Sequence, residues 1–285
     1  MARILAPTLL AVGLAVLIGA AVAQPFGARG VPHRIVSLNL CLDQLVLMLA
    51  DPADVASVTW LARDPRASVM AEAAARVPLL NHGLAEEVLP LQPDLVLAGE
   101  YTAPFAVRML RRSGYNVEGL AAPLDLAGVR GQVELIGALV RQPERAATVL
   151  AAMDAKLTAA LPAPLAARVS ALVVQPGGFT AGPGAFEHEL LTAAGLEDAA
   201  ARLGIRGYGY VSLEHLLIAQ PRIVVAAAYD TRHPSLAEAM LSHPALAKAA
   251  AATVVVRMPA NLWDCAGPMN ADAVALLAAA RDGLH

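Results

Sequence analysis

Glu86 and Glu214 stand 128 residues apart, and the sixteen-residue stretches they open resemble each other: EEVLPLQPDLVLAGEY runs from Glu86 to Tyr101, EHLLIAQPRIVVAAAY from Glu214 to Tyr229. Seven of the sixteen positions are identical, and the informative ones are the glutamate, the Gln-Pro pairs at Gln92-Pro93 and Gln220-Pro221, and the closing Tyr101 and Tyr229. The pair reads as an internal repeat. Two exposed carboxylates in matched positions suit contacts with basic residues of a partner that touches both halves. Each also falls in the first turn of a short helix, Glu214 behind a Ser212 cap, where a carboxylate meets the helix dipole favourably.

Flat side chains form a second group. The chain has two Trp, five Tyr and four Phe. Trp60, Tyr101, Tyr229 and Trp263 lie at or just past the carboxyl end of a strand expected from the apolar pattern, and Phe179, Tyr208 and Tyr210 fall in loops. Ligands of parallel sheets gather outside those strand ends, where loops and helix N-termini converge. In Arg206-Gly207-Tyr208-Gly209-Tyr210 the glycines let a ligand approach the backbone and leave the rings exposed. A loop ring taken singly also serves as a lid on the core edge; as a set, several of these rings are expected to line one cleft.

Other chemistries are poorly represented. His33, His82, His188, His215, His233, His243 and His285 are scattered without HxH or HExxH spacing, so no bare-metal site is expected. GxSxG, GxxxxGK[ST] and GxGxxG are absent, which leaves neither a nucleophile elbow nor a phosphate cradle, and no catalytic residue or cofactor is assigned. A net charge of −3 with no basic block argues against a nucleic-acid partner. Cys41 begins the first helix and Cys265 lies in LWDCAGP; a disulfide, two thiols packed near the cleft, and contact with a ligand all remain open.

The elements that position these residues follow from pattern. MARILAPTLLAVGLAVLIGAAVAQ has Arg3, an apolar run and Ala21-Val22-Ala23, as a secretory signal cleaved after Ala23 has; an uncleaved anchor is the alternative. Strands are expected at 34–38, 55–60, 94–98 and 117–120, with helices at 41–50, at 84–91 and at 104–113. Their alternation makes 24–124 an α/β lobe with a parallel sheet. Residues 125–161 are helical, interrupted at Pro143, which can open a second helix; this is the expected bridge between lobes. The second lobe, 162–285, has strands at 169–175, 222–227 and 253–257. Its helices are expected at 185–194, at 213–219, after His243-Pro244 and at 271–281.

With these residues in view, the chain resembles the periplasmic substrate-binding proteins of ABC importers for ferric siderophores, cobalamin and heme. RIVSLNLCLDQLVLML is similar to the family's opening strand and helix, GLAEEVLPLQPDLVLAG to its Glu-containing helix and Pro-Asp-Leu strand, YVSLEHLLIAQPRIVV to the second-lobe counterpart, and LWDCAGP to its C-terminal signature. Arg222 departs from the Asp that often follows that proline. The resemblance implies a class III fold, two α/β lobes joined by a long helix around a shallow cleft with modest closure. It also implies a monomer that carries a metal chelate, siderophore or corrinoid, through the periplasm. Glu86 and Glu214 match the glutamates that dock on the membrane permease dimer.

Cleft residues vary across that family, so the ligand-binding set is assigned by position: Asn39, Trp60, Arg63, Tyr101, Tyr208, Tyr210, Tyr229 and Trp263. An anionic siderophore calls for arginines, for which Arg63, Arg206 and Arg232 stand nearby; cobalamin calls for aromatic and neutral polar contacts; heme for a Tyr or His on iron. A receptor for free zinc or manganese and a secreted α/β enzyme are the rival readings.

Overall fold

The first strand–helix unit shows how the chain is built. β1 (Ile35–Ser37) is buried throughout, and Asn39 then caps α1 (Leu40–Leu49). At φ −145° it stays outside the helix while its Oδ1 accepts the amides of Cys41 at 3.0 Å and Leu42 at 3.3 Å. That satisfies two of the amides a helix start leaves open. Leu42, Leu45, Val46 and Leu49 recur at helical spacing and are buried, which docks α1 on the sheet. The computed structural model describes residues 30–162, 168–228 and 253–284. The expected signal at 1–23, Tyr229, Arg232 and the helix expected after Pro244 lie outside the described residues.

Along the chain follow β2 (Val55–Thr59), α2 (Ala71–Ala74), β3 (Leu79–Asn81), α3 (Ala85–Val88), β4 (Leu95–Gly99), α4 (Pro104–Arg112) and β5 (Val117–Leu120). These strands form a parallel sheet in the order β3-β2-β1-β4-β5. After α5 (Leu126–Leu139) and α6 (Pro143–Ala159) come β6 (Val169–Val174), β7 (Phe179–Ala181), α7 (Phe186–Ala193), β8 (Leu196–Asp198) and β9 (Tyr208–Tyr210). Among the described residues α8 (Leu213–Ala219), β10 (Ile223–Ala228), β11 (Val254–Pro259) and α9 (Asn270–Asp282) come next. The second sheet is also parallel, in the order β11-β10-β6-β8, and β7 pairs antiparallel with β9 as a ribbon of its own.

The two sheets share one plan. β2-β1-β4-β5 corresponds to β8-β6-β10-β11, so the repeat's two strands, β4 and β10, hold equivalent places. The preserved Gln-Pro has a backbone reason: Gln92 (φ 46°) and Gln220 (φ 43°) both end their helical turns in the left-handed conformation. Pro93 and Pro221 cannot continue a helix, so the chain leaves directly into the strand.

Both faces of each sheet are covered. Ile35, Leu95 and Leu97 from the first sheet and Ala171, Val173, Ile223 and Val225 from the second belong to one continuous core with α1, α5, α6 and α9. The opposite faces form two private cores: Val36, Val96 and Ala98 with α3 and α4, and Leu172, Val174 and Val224 with Leu216 of α8. Alternation along each strand thus deals side chains between a shared and a private core. That is why the strands read as unbroken apolar runs.

The linking segment is two helices packed on each other, with Pro143 opening the second. Arg141 takes φ 60°, and the Gln142 amide returns to the Gly137 carbonyl at 2.7 Å. A methyl at Gly137 would stand 2.5 Å from Ala146 Cβ, so the helices can approach this closely only over a glycine. α6, 17 residues long and therefore roughly 25 Å, carries the link. Near its start Arg145 donates to the carbonyls of Leu49 (3.0 Å) and Ala50 (2.6 Å) that end α1. Past its end the Ala160 carbonyl accepts from Arg281 of α9, a buried guanidinium that also donates to Ala194 at the end of α7.

Candidate functional site

The strands of the first sheet end at a cavity of about 270 Å³. The loop after β1 brings Asn39 to it, the loop after β4 brings Glu100, Tyr101 and Thr102, α5 brings Gln132, and the segment between β11 and α9 brings Asp264. Asn39 joins two of these loops: besides capping α1 it donates through Nδ2 to Thr102 Oγ1 at 3.0 Å. Gly99 makes that contact feasible, because a Cβ there would fall 2.6 Å from Thr102 Oγ1. Two carboxylates, Glu100 and Asp264, line the wall, and among the described residues no basic side chain does. Burial holds the Asp264 carboxyl above its usual range.

The ribbon supplies the rings. Opposite pairs Phe179–Tyr210 and Ala181–Tyr208 place all three aromatic residues on one face, while Thr180 on the other is buried and donates to the Val173 carbonyl. Phe179 lies parallel to Tyr208 at 5.4 Å between centroids and edge-on to Tyr210 at 5.7 Å. Such a trio holds each ring in a fixed plane, yet Tyr208 and Tyr210 stay 56% and 71% exposed, with their outer faces free to stack.

Glu187 of α7 connects the ribbon to the cavity. Its carboxyl is pushed up first by burial, with the negative charge of Asp264 adding in the same direction and a hydrogen bond from the Tyr208 hydroxyl opposing. The Tyr208 hydroxyl is in turn pushed up to about 12, by burial and then by Glu187. The wall between ribbon and cavity is therefore acidic and rich in hydrogen-bond acceptors.

The expected ligand-binding residues separate into groups. Asn39 and Tyr101, the latter 87% exposed, meet at the cavity; Tyr208 and Tyr210 share the ribbon. Trp60, half-exposed at the end of β2, stacks on His82 past β3 at 6.3 Å. Arg63 is exposed, and two of its guanidinium nitrogens are engaged by backbone: Nε donates to Ala74 (3.1 Å) and Nη2 to Val77 (2.6 Å), closing the end of α2. Trp263 is 3% exposed and belongs to the shared core rather than the cleft. Position past a strand end located it, but its ring folds under the loop instead of over it. Sequence reasoning passed over Glu100, Thr102, Gln132, Asp264 and Glu187. Asp264 had a signal, its place inside LWDCAGP, and Thr102 another, its adjacency to Tyr101.

Cys41 and Cys265 are bonded as a disulfide. Glu86 on α3 and Glu214 on α8 are both exposed. Glu214 sits in a capping box formed by Ser212 and His215, and a hydrogen bond from Ser212 holds its carboxyl low. Glu87, not Glu86, is the acid engaged locally, accepting the His82 amide at 2.6 Å and pairing with the His82 ring at 2.8 Å. Among the described residues no three His, Cys, Asp or Glu side chains gather as metal ligands would.

Comparison with known proteins follows the geometry. The profile of the family described as periplasmic binding protein matches residues 35–262. The chain is 30% identical over 219 residues to a cobalamin-binding protein of Halobacterium salinarum, an alignment covering 74% of this chain and 58% of that relative. It thus spans little more than half the length of that curated relative. The periplasmic heme-binding protein of Roseiflexus sp. RS-1 in apo form superposes with a TM-score of 0.71 at 23% identity, over 89% of this chain and 99% of the other. A periplasmic heme-binding protein of Pseudomonas aeruginosa does so at 0.63 and 25% identity, over 87% and 92%. The periplasmic vitamin B12-binding protein of Vibrio cholerae gives 0.66 at 17% identity, over 89% and 98%, a likeness of fold.

Proposed function

The chain belongs to the periplasmic binding protein family, and from that premise we propose that it is the solute-binding component of an ABC importer, a periplasmic monomer that captures a metal chelate and delivers it to a membrane permease. It is a binder, not an enzyme. The observation that carries the reading is the rigid aromatic ribbon beside an acceptor-rich cavity: exposed ring faces suit a large, flat or macrocyclic ligand held by stacking and a few hydrogen bonds. Of the two chelate classes expected, the wall favours a corrinoid. Glu100 and Asp264 could accept hydrogen bonds from the amide side chains of a corrinoid, whereas an anionic ferric siderophore would meet two carboxylates and no basic residue among those lining the cavity. Heme is the second reading, supported by Tyr101, an exposed phenol beside the cavity that could reach an iron.

Titration followed by tryptophan fluorescence tests the proposal. Trp60 is half-exposed and Trp263 buried, so Trp60 is the reporter. Cyanocobalamin should quench it; absence of quenching by cyanocobalamin, ferric siderophores and hemin alike would remove the assignment. Tyr210→Ala should weaken binding by about 1–3 kcal/mol and lower the thermal midpoint only slightly, since the ring is mostly in solvent and loses one edge contact, with Phe179. An unchanged affinity would move the ligand off the ribbon.

The permease is expected to meet Glu86 and Glu214. Reversing both, Glu86→Arg with Glu214→Arg, should leave the chelate affinity within about twofold and weaken permease binding by more than about a hundredfold, because two attractive contacts become repulsive. Lost chelate binding with intact docking would contradict this division of roles.

A further inference from the structure

The disulfide lies where the two halves meet. Cys41 is in the first turn of α1, against the first sheet; Cys265 lies 224 residues later, in the loop that leaves β11 of the second sheet and leads to α9. The same loop is held to the first half at one further place, where Asn261 Nδ2 donates to the Pro65 carbonyl at 2.8 Å. From the other side Asn270 knits the loop together, its Oδ1 accepting the Gly267 amide (2.6 Å) and its Nδ2 donating to the carbonyls of Leu262 (2.9 Å) and Cys265 (3.0 Å). Asp264, the carboxylate this loop contributes to the cavity, is the residue next to Cys265, and Cys41 itself forms part of the cavity wall.

A receptor that closed by swinging one half over its ligand would have to move this loop relative to α1. A covalent bond between the two forbids that. We propose that the Cys41–Cys265 disulfide is a positioning element of the binding cavity: it holds the 260–267 loop, and Asp264 with it, against the N-terminal half, so that the cavity wall is set before ligand arrives. Setting it in advance removes an ordering cost from binding and so slows ligand departure. The role of the cavity as ligand site rests on the function proposed above; the fixing of the loop does not.

The test compares the protein with its Cys41→Ser/Cys265→Ser variant, and with the same chain before and after dithiothreitol in case the variant does not fold. Reduction is balanced: dithiothreitol gives up two hydrogens to become a cyclic disulfide, and each cysteine sulfur becomes a thiol. Without ligand, opening the bond should speed hydrogen exchange of amides 262–267 about tenfold or more, while the exposed turn at 113–114, whose amides open without global unfolding, stays within about twofold. With cyanocobalamin, the off-rate should rise about tenfold and the on-rate change less than about threefold. Asp264→Asn should weaken binding about tenfold in the bonded protein and less than about twofold once the bond is open, a coupling that a bond serving overall stability alone would not produce. Unchanged exchange at 262–267, or an Asp264→Asn effect of equal size in both forms, overturns the proposal. If cyanocobalamin does not bind the bonded protein, the ligand reading falls and the exchange measurement still decides the fate of the loop.

Discussion

Replacing Cys41 and Cys265 together by Ser is expected to cost about 5 kcal/mol of unfolding free energy. The bond closes a loop of 224 residues, and the denatured chain it constrains gains correspondingly large freedom when it is removed. Typical native disulfides contribute about 2–4 kcal/mol, so this one stands at the upper end because of its span. Two signatures in urea unfolding check the cause. The midpoint should fall, and the slope m should rise, because the uncrosslinked denatured chain exposes more surface. Wild-type protein in dithiothreitol should fall onto the curve of the double variant. A loss below about 1 kcal/mol, or an unchanged slope, would show that the bond acts on the native state alone.

Asp43 sets the second large effect, through pH. It lies on α1 with no exposure to solvent, and burial pushes its carboxyl up from 3.8 to about 7; hydrogen bonds from Ser37 and from the Thr59 hydroxyl and amide oppose that rise without cancelling it. Between those two pH values the folded protein holds a proton that the unfolded chain has released. Stability therefore falls as pH rises through the window and levels off above about 7, by a total on the order of 4 kcal/mol. Asp43→Asn, neutral at every pH and able to accept from Thr59, should flatten this part of the profile and leave the variant more stable than wild type at pH 8. Parallel profiles for the two proteins would mean that Asp43 is ionised in the fold at neutral pH.

Much of the fold was legible because its signals are local. The strand expected at 117–120 is β5, the helix at 213–219 is α8, and the strands at 94–98 and 222–227 overlap β4 and β10, since apolar residues crowd both faces of buried parallel strands. Pro143 marked the break between α5 and α6 for a backbone reason that any proline carries. The strands that escaped notice, β3, β7, β8 and β9, are 3 residues each, too short to establish a period. Two of them form the aromatic ribbon, so the rings of Tyr208 and Tyr210 were found by composition while the surface that aligns them was not. Trp263 and Arg63 show a different limit. Residue type and strand-end position place a side chain near the cleft, but whether an indole turns inward or a guanidinium is taken up by nearby carbonyls depends on long-range packing. The disulfide belongs to the same class, since its partners meet only after both halves are assembled.

The continuous core that runs from Ile35 through α6 to Ile223 and Val274 bears on how such a receptor can diversify. A chimera that exchanged everything after Ala160 for the equivalent part of a distant relative would replace the apolar partners that α9 gives α6, together with the Arg281 contact to the end of α6. New ligand preferences are therefore more accessible by exchanging the short rim segments, the β7–β9 ribbon or the loop after β4, than by recombining whole halves.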